Sequence, residues 1–201
     1  CSCREHLEEV GYEVVSDSVF SKISDTCTPQ GVICVLKQFH YNIEEMLRDK
    51  APLFLLLENI QDPGNLGTML RTGEGAGVSG IIMSRDTVDL YNPKVIRSTM
   101  GSIYRVPFYY AEDFAAAVHQ VQQAGVSVYA AHLRGKNSYA CQDYTKGTAF
   151  LIGNEGNGLR EETAELADCY IRIPMEGKVE SLNAAVASSI LMYEAHRQRA
   201  I

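Results

Sequence analysis

Along this chain, short runs of consecutive apolar residues alternate with longer stretches in which apolar positions recur at helical spacing. The clearest run is Leu53-Phe54-Leu55-Leu56-Leu57, which predicts a buried strand. Further strand-like runs lie at 80–84, 106–110, 127–131, 148–152 and 170–173. Helical spacing occupies 66–76, 93–100, 112–124, 160–166 and 182–199. Such alternation predicts an α/β fold with a mainly parallel sheet and helices on both faces. Residues 1–50 depart from the pattern. They hold two strand-like runs, 12–15 and 31–36, around a loop at 26–30, with five basic residues against nine acidic ones. Neither run can build a core alone, so the expected division is residues 1–50 and residues 51–201.

In an open parallel sheet, ligands bind beyond the carboxyl ends of the strands. Three strand-to-helix connections carry candidate chemistry there. In the first, Asp62-Pro63-Gly64 reads as a turn and Asn65 as the cap of a helix with apolar Leu66, Met69 and Leu70. Arg71 borders that apolar stripe, and its ordinary alternative is an ion pair with Glu74 at i+3. The second connection, Gly153-Asn154-Glu155-Gly156-Asn157-Gly158, places a carboxylate among three glycines that let backbone approach a ligand. In the third, running from Pro174 to Asn183, Ser181 is the expected cap of a closing helix with Leu182, Val186, Ile190 and Tyr193 as one apolar stripe. Asn183 falls in the first turn, where Asn gains little from being helical.

Gly75-Ala76-Gly77-Val78-Ser79-Gly80 matches the dinucleotide fingerprint G-x-G-x-x-G, but it follows a helix and precedes a strand. That order suits a helix stop rather than a pyrophosphate site, which leaves a nicotinamide-dependent oxidoreductase as the weaker alternative. The histidines, at 6, 40, 119, 132 and 196, fall outside all three loops, so neither a histidine base nor a metal site is expected.

With 201 residues and 46% hydrophobic content, the chain can bury one sizeable core. No apolar run approaches a membrane span. Six cysteines, at 1, 3, 27, 34, 141 and 169, form no C-x-x-C pair and fit a reducing cytoplasm. The net charge of −7 argues against a generic nucleic-acid binder. Two local stretches offset it. Lys94, Arg97 and Arg105 form an acid-free stretch around Tyr104, and Arg134, Lys136 and Lys146 a looser one. Both could contact phosphates, or simply be a solvated helix face and loop.

DPGNLGTMLRT, FLIGNEGNGL and IPMEGKVESLNAAVA resemble, in order, the three motifs of the SpoU (TrmH-like) family of RNA ribose 2′-O-methyltransferases in the SPOUT superfamily. The one departure is Ala184-Ala185, a smaller pair than expected after the Asn. The resemblance implies a C-terminal trefoil knot holding S-adenosylmethionine, and a homodimer in which both chains shape the active site. The implied substrate is structured RNA, ribosomal more than transfer, with no membrane or metal partner. On this basis the catalytic positions are Arg71, Asn65, Glu155, Ser181 and Asn183, and the cofactor-binding positions are Gly153, Ile173, Met175 and Leu182. A guanidinium holds its proton above about pH 12, so Arg71 is expected to stabilise developing alkoxide charge rather than act as a base. Many members carry a small RNA-binding domain ahead of the knotted one, and residues 1–50 are expected to be its remnant plus a linker. The rival within the same fold is a catalytically inactive RNA-binding protein.

Overall fold

The computed structural model describes residues 11–24, 26 and 28–200. Cys1, Cys3, His6 and Cys27 lie outside the described residues. The chain divides into two units between Phe39 and His40.

Among its described residues the first unit contains one helix, α1 (Asp17–Ile23), with Asp17 in its first turn and Lys22 in its last, both favourable to the helix dipole. The strands expected at 12–15 and 31–36 do not form. Val14, Val32 and Val35 are instead exposed. An apolar run becomes a strand only where a neighbour takes its backbone hydrogen bonds, and none is offered among the described residues.

The second unit opens with a short helix α2 (Ile43–Met46) and then alternates. Strand β1 (Leu53–Leu57) leads to α3 (Pro63–Ala76), and β2 (Gly80–Ser84) to α4 (Pro93–Ser98) and a 3₁₀ turn at Ser102–Tyr104. Then come β3 (Phe108–Ala111), α5 (Phe114–Gln123), β4 (Ser127–Ala131), β5 (Asn137–Ser138) and a second 3₁₀ turn at Tyr139–Cys141. The chain closes with β6 (Thr148–Ile152), α6 (Glu161–Ala164), β7 (Cys169–Arg172) and α7 (Ala184–Arg199). The seven strands form one sheet in the order β3-β2-β1-β6-β4-β7-β5, and every pairing is parallel.

The register sets Leu55 between Ile81 and Phe150, so the middle of the sheet is apolar on both faces. Phe54, Leu56, Ile82, Val128 and Leu151 pack with Val118 and Val121 of α5. The alternate positions, among them Leu55, Ile81 and Phe150, point to the opposite face. There α7 lies against β6, and α3 against α7.

Departures from the expected boundaries have local causes. Strand β3 begins at Phe108 rather than Val106 because the Val106 N–H is already donated to the Ser102 carbonyl. Strand β7 starts and ends one residue early, and α6 is only four residues long. The polar two-residue β5 carries no hydropathy signal at all. At the other end of α3, Gly77 takes the left-handed conformation of a helix stop (φ 78°), the alternative to a dinucleotide fingerprint at these glycines.

Candidate active site

Strands β1, β6 and β7 run parallel within the sheet, so their carboxyl ends and the three marked connections lie on the same edge. Helix α3 is capped by Asp62, not by Asn65. The Asp62 carboxylate accepts from Asn65 N–H at 2.7 Å, and Pro63 takes the first helical position, where no N–H is needed. Asn65 therefore sits inside the first turn with its side chain free for other work.

That side chain joins two loops. Its Nδ2 donates to Glu155 Oε1 at 3.0 Å, and its Oδ1 accepts from Asn183 Nδ2 at 3.0 Å. Asn183, rather than Ser181, caps α7, accepting from Ala185 N–H at 2.9 Å and Val186 N–H at 3.2 Å. One hydrogen-bonded chain, Glu155–Asn65–Asn183, thus ties the three connections together.

Glu155 is the most heavily bonded member. Besides Asn65 it accepts from the backbone N–H groups of Asp62 at 3.0 Å and Gln61 at 3.1 Å. Burial opposes its charge, but the bonds from Asn65, from its own backbone, and from Asp62 and Gln61 outweigh that and hold the carboxyl below its ordinary value. The loop around it is closed by reciprocal backbone bonds between Asn154 and Gly158, at 3.0 and 2.9 Å. Gly153 is required by this closure. A β-carbon there would collide with the backbone of Gly158 and Leu159. Open space surrounds Gly156 apart from Asn154, so the two glycines do different jobs.

Beside this chain lies a cavity of about 260 Å³. Its walls include all four expected cofactor residues, Gly153, Ile173, Met175 and Leu182, together with Glu155 and Ser181. Ser181 has no hydrogen-bond partner among the described residues. Arg71, Asn65 and Asn183 are not among the lining residues. Arg71 is exposed and without an ion pair or hydrogen bond among the described residues. The pairing open to it in the sequence is taken, since Glu74 is bound by Arg105, which draws its carboxyl down to about 2. Of the other cations, Arg134 pairs with Glu161, whereas Lys94 and Arg97 are exposed and unpaired among the described residues.

The structure adds residues that sequence reasoning passed over. His132 and Leu133, at the carboxyl end of β4, line the cavity, as do Arg172 and Glu180. Only the strand-end rule could have flagged the first two. Glu58, almost fully buried just after β1, accepts from Arg160 N–H at 2.8 Å and from the Thr163 hydroxyl, and so pins the exit of the glycine loop. Its signal was a carboxylate directly following five apolar residues.

Residues 52–193 match the family described as the SpoU rRNA Methylase family. The chain belongs to it. All three loop motifs fall inside the matched span. Among relatives of this SpoU chain is the 23S rRNA (guanosine(2553)-2′-O)-methyltransferase of Bacillus subtilis, 35% identical over 90% of this chain and 70% of its own length. An uncharacterized tRNA/rRNA methyltransferase of Synechocystis is also 35% identical, over 92% of this chain and 67% of its own length. The solved AdoMet-bound rRNA methyltransferase from Sinorhizobium meliloti superposes with a TM-score of 0.82 at 36% identity, over 90% of this chain and 70% of that one.

Proposed function

We propose that this SpoU-family chain methylates a ribose 2′-hydroxyl of ribosomal RNA, with S-adenosylmethionine as donor. The observation that carries the reading is the Glu155–Asn65–Asn183 chain, three loops drawn to one point beside a cavity at the strand ends. The relatives named as rRNA 2′-O-methyltransferases, and the AdoMet-bound neighbour, support the substrate and the cofactor.

The donor set suits that cofactor. Apolar Ile173, Met175 and Leu182 would hold its uncharged parts, the backbone at Gly153 offers close approach, and the carboxylates of Glu155 and Glu180 favour a cationic ligand. The bound cofactor supplies an electrophilic methyl group on a sulfonium. This chain's residues then have to place and activate the alcohol. Glu155 fixes the Asn65 amide, and Asn65 with Asn183 sets the edge of the site where the ribose enters. The Ser181 hydroxyl, on the cavity wall and without a partner among the described residues, is available to the substrate. Arg71 stabilises the oxygen as its proton leaves.

Arg71 is absent from the cavity wall, which is understandable if the chain acts as a homodimer. Val186 and Tyr193 on α7 are half exposed, and Ser189 of α7 touches Thr72, the neighbour of Arg71. A partner seated on that face would receive Arg71 at its edge. In this reading the family's trefoil knot closes the cavity, the unit from His40 onward forms the methyltransferase domain, and the residues ahead of it are the remnant of an RNA-binding domain with its linker. The protein would work in the cytoplasm. Among the described residues no helix is long and apolar enough to cross a membrane.

The test is transfer of radiolabelled methyl from S-adenosylmethionine to a 23S rRNA transcript, read as label in alkali-resistant dinucleotides. Cofactor and RNA binding without transfer would instead favour a non-catalytic RNA-binding protein.

A further inference from the structure

His132 stands one residue beyond β4 and lines the cavity, yet the mechanism above gives it no task. Its Nδ1 accepts the backbone N–H of Arg134 at 3.1 Å. A ring nitrogen that accepts cannot also carry the proton, so the neutral ring is protonated at Nε2. Nε2 has no hydrogen-bond partner among the described residues. The ring is held against Tyr170, with centroids 5.0 Å apart and planes 32° from parallel. Burial first, and Arg134 second, push the imidazole pKa below 6.5, with Glu161 pulling the other way. At neutral pH the ring is therefore an uncharged donor with a fixed orientation.

We propose that His132 is a specificity-determining residue whose Nε2–H donates to a ring nitrogen of the cofactor's adenine. The proposal rests on the reading that this cavity takes S-adenosylmethionine. The neighbouring walls, Ala131, Leu133, Ile152 and Ile171, are apolar and suit a flat, uncharged heterocycle with acceptors at its edge. A carboxylate in the same cavity would be drawn to the cation Arg172 rather than to a neutral imidazole. The ionisable groups around the ring are Arg134 on its own loop, Tyr170 and Arg172 on β7, Glu161 on α6, and Glu155 and Glu180 on the cavity wall. On acidification the ring gains a charge beside a cationic cofactor and gives up the acceptor that orients it.

Two substitutions separate a donor to the ligand from a structural ring. In His132→Asn the side-chain oxygen can still accept from Arg134 N–H, but nothing reaches the Nε2 position. In His132→Gln the amide nitrogen reaches that position and the short-range acceptor is lost. Calorimetric titration of the full chain with S-adenosylmethionine and with adenosine should show about tenfold weaker binding of both by the Asn variant. The Gln variant should stay within about threefold of wild type. Wild-type affinity for S-adenosylmethionine should fall as pH drops through the depressed imidazole pKa, whereas the Asn variant should be flat over that range. Wild-type-like binding by the Asn variant, or a weaker Gln than Asn variant, would overturn the role of His132. A loss seen with S-adenosylmethionine but not adenosine would overturn its assignment to the adenine. Absence of binding by the wild-type chain would overturn the cofactor reading itself, a distinct outcome.

Discussion

Glu155→Gln should loosen the point where the three loops meet, and the size of the effect follows from its bonds. The carboxylate accepts from Asn65 Nδ2, Asp62 N–H and Gln61 N–H, with Asn154 Nδ2 at 3.5 Å as a weaker fourth donor. A glutamine keeps one acceptor oxygen and turns an NH₂ toward donors on the other side. On one side the Gln61 N–H is left facing a donor, or on the other the Asn65 and Asp62 groups are. A hydrogen bond to a charged group is worth about 1.5–3 kcal/mol when buried. Glu155 is only partly buried, so the lower end applies, and losing one to two such bonds should cost about 2 kcal/mol. For a domain of this size that lowers Tm by roughly 4–8 °C. Near-UV circular dichroism on heating reads it directly.

The same substitution carries a pH signature. The folded-state pKa of Glu155 lies below its ordinary value of 4.5, so its contribution is fully present above that value. The contribution is lost as pH falls through the folded pKa. The gap in Tm between wild type and variant should therefore be constant from neutrality to about pH 5 and close below it. Other carboxylates titrate in both proteins and drop out of the difference. Equal Tm at neutral pH, or a gap unchanged in acid, would refute the claim that these bonds act on the ionised form.

Arg71→Ala should abolish methyl transfer to a 23S rRNA transcript while leaving S-adenosylmethionine affinity within a few-fold, and near-normal turnover would remove Arg71 from the mechanism. Asn183→Asp keeps the helix cap but loses the Nδ2 donor to Asn65, so Tm should hold while turnover falls at least tenfold; equal losses of both would make Asn183 a cap only. Val186→Asp with Tyr193→Glu should yield a monomer by light scattering, and a dimer of undiminished affinity would place the interface elsewhere.

The sheet was legible in the hydropathy pattern because its central strands are buried on both faces. Runs such as Leu53–Leu57 have no polar alternate to blur the period. Helix starts were less legible, since Asp62, Asn65, Ser181 and Asn183 are all good caps by type. Two of the four cap, and the choice was settled by Pro63 at the first helical position of α3 and by where the third loop ends. The site residues were found through motif order, but their wiring was not. Nothing local links Glu155 to Asn65, which are brought together only by the parallel pairing of β1 with β6. His132 was passed over because it belongs to no motif and is marked only by its position at a strand end.

The closing helix is where the pattern misled most, and where fold and site meet. Leu182, Val186, Ile190 and Tyr193 read as its core face, yet Val186 and Tyr193 are half exposed and the buried face is Ala184, Ala185, Ser188, Leu191, Met192 and Ala195. A hydropathy stripe ranks faces by apolar bulk, whereas close packing of two helices selects small residues. Helix α7 lies against α3, and even a β-carbon on Gly75 of α3 would come within 3.1 Å of the Tyr193 hydroxyl. The small pair Ala184-Ala185, the one departure noted in the third motif, is buried at the start of α7, with Ala184 on the cavity wall. That closeness lets the Asn183 cap reach Asn65 across two helix starts at 3.0 Å. Bulkier side chains at 184 and 185 would lift the end of α7 and open that link. The apolar bulk displaced from the inner face, Val186 and Tyr193, stands half exposed on the outer one, and the double substitution at these two positions tests whether a second chain sits there.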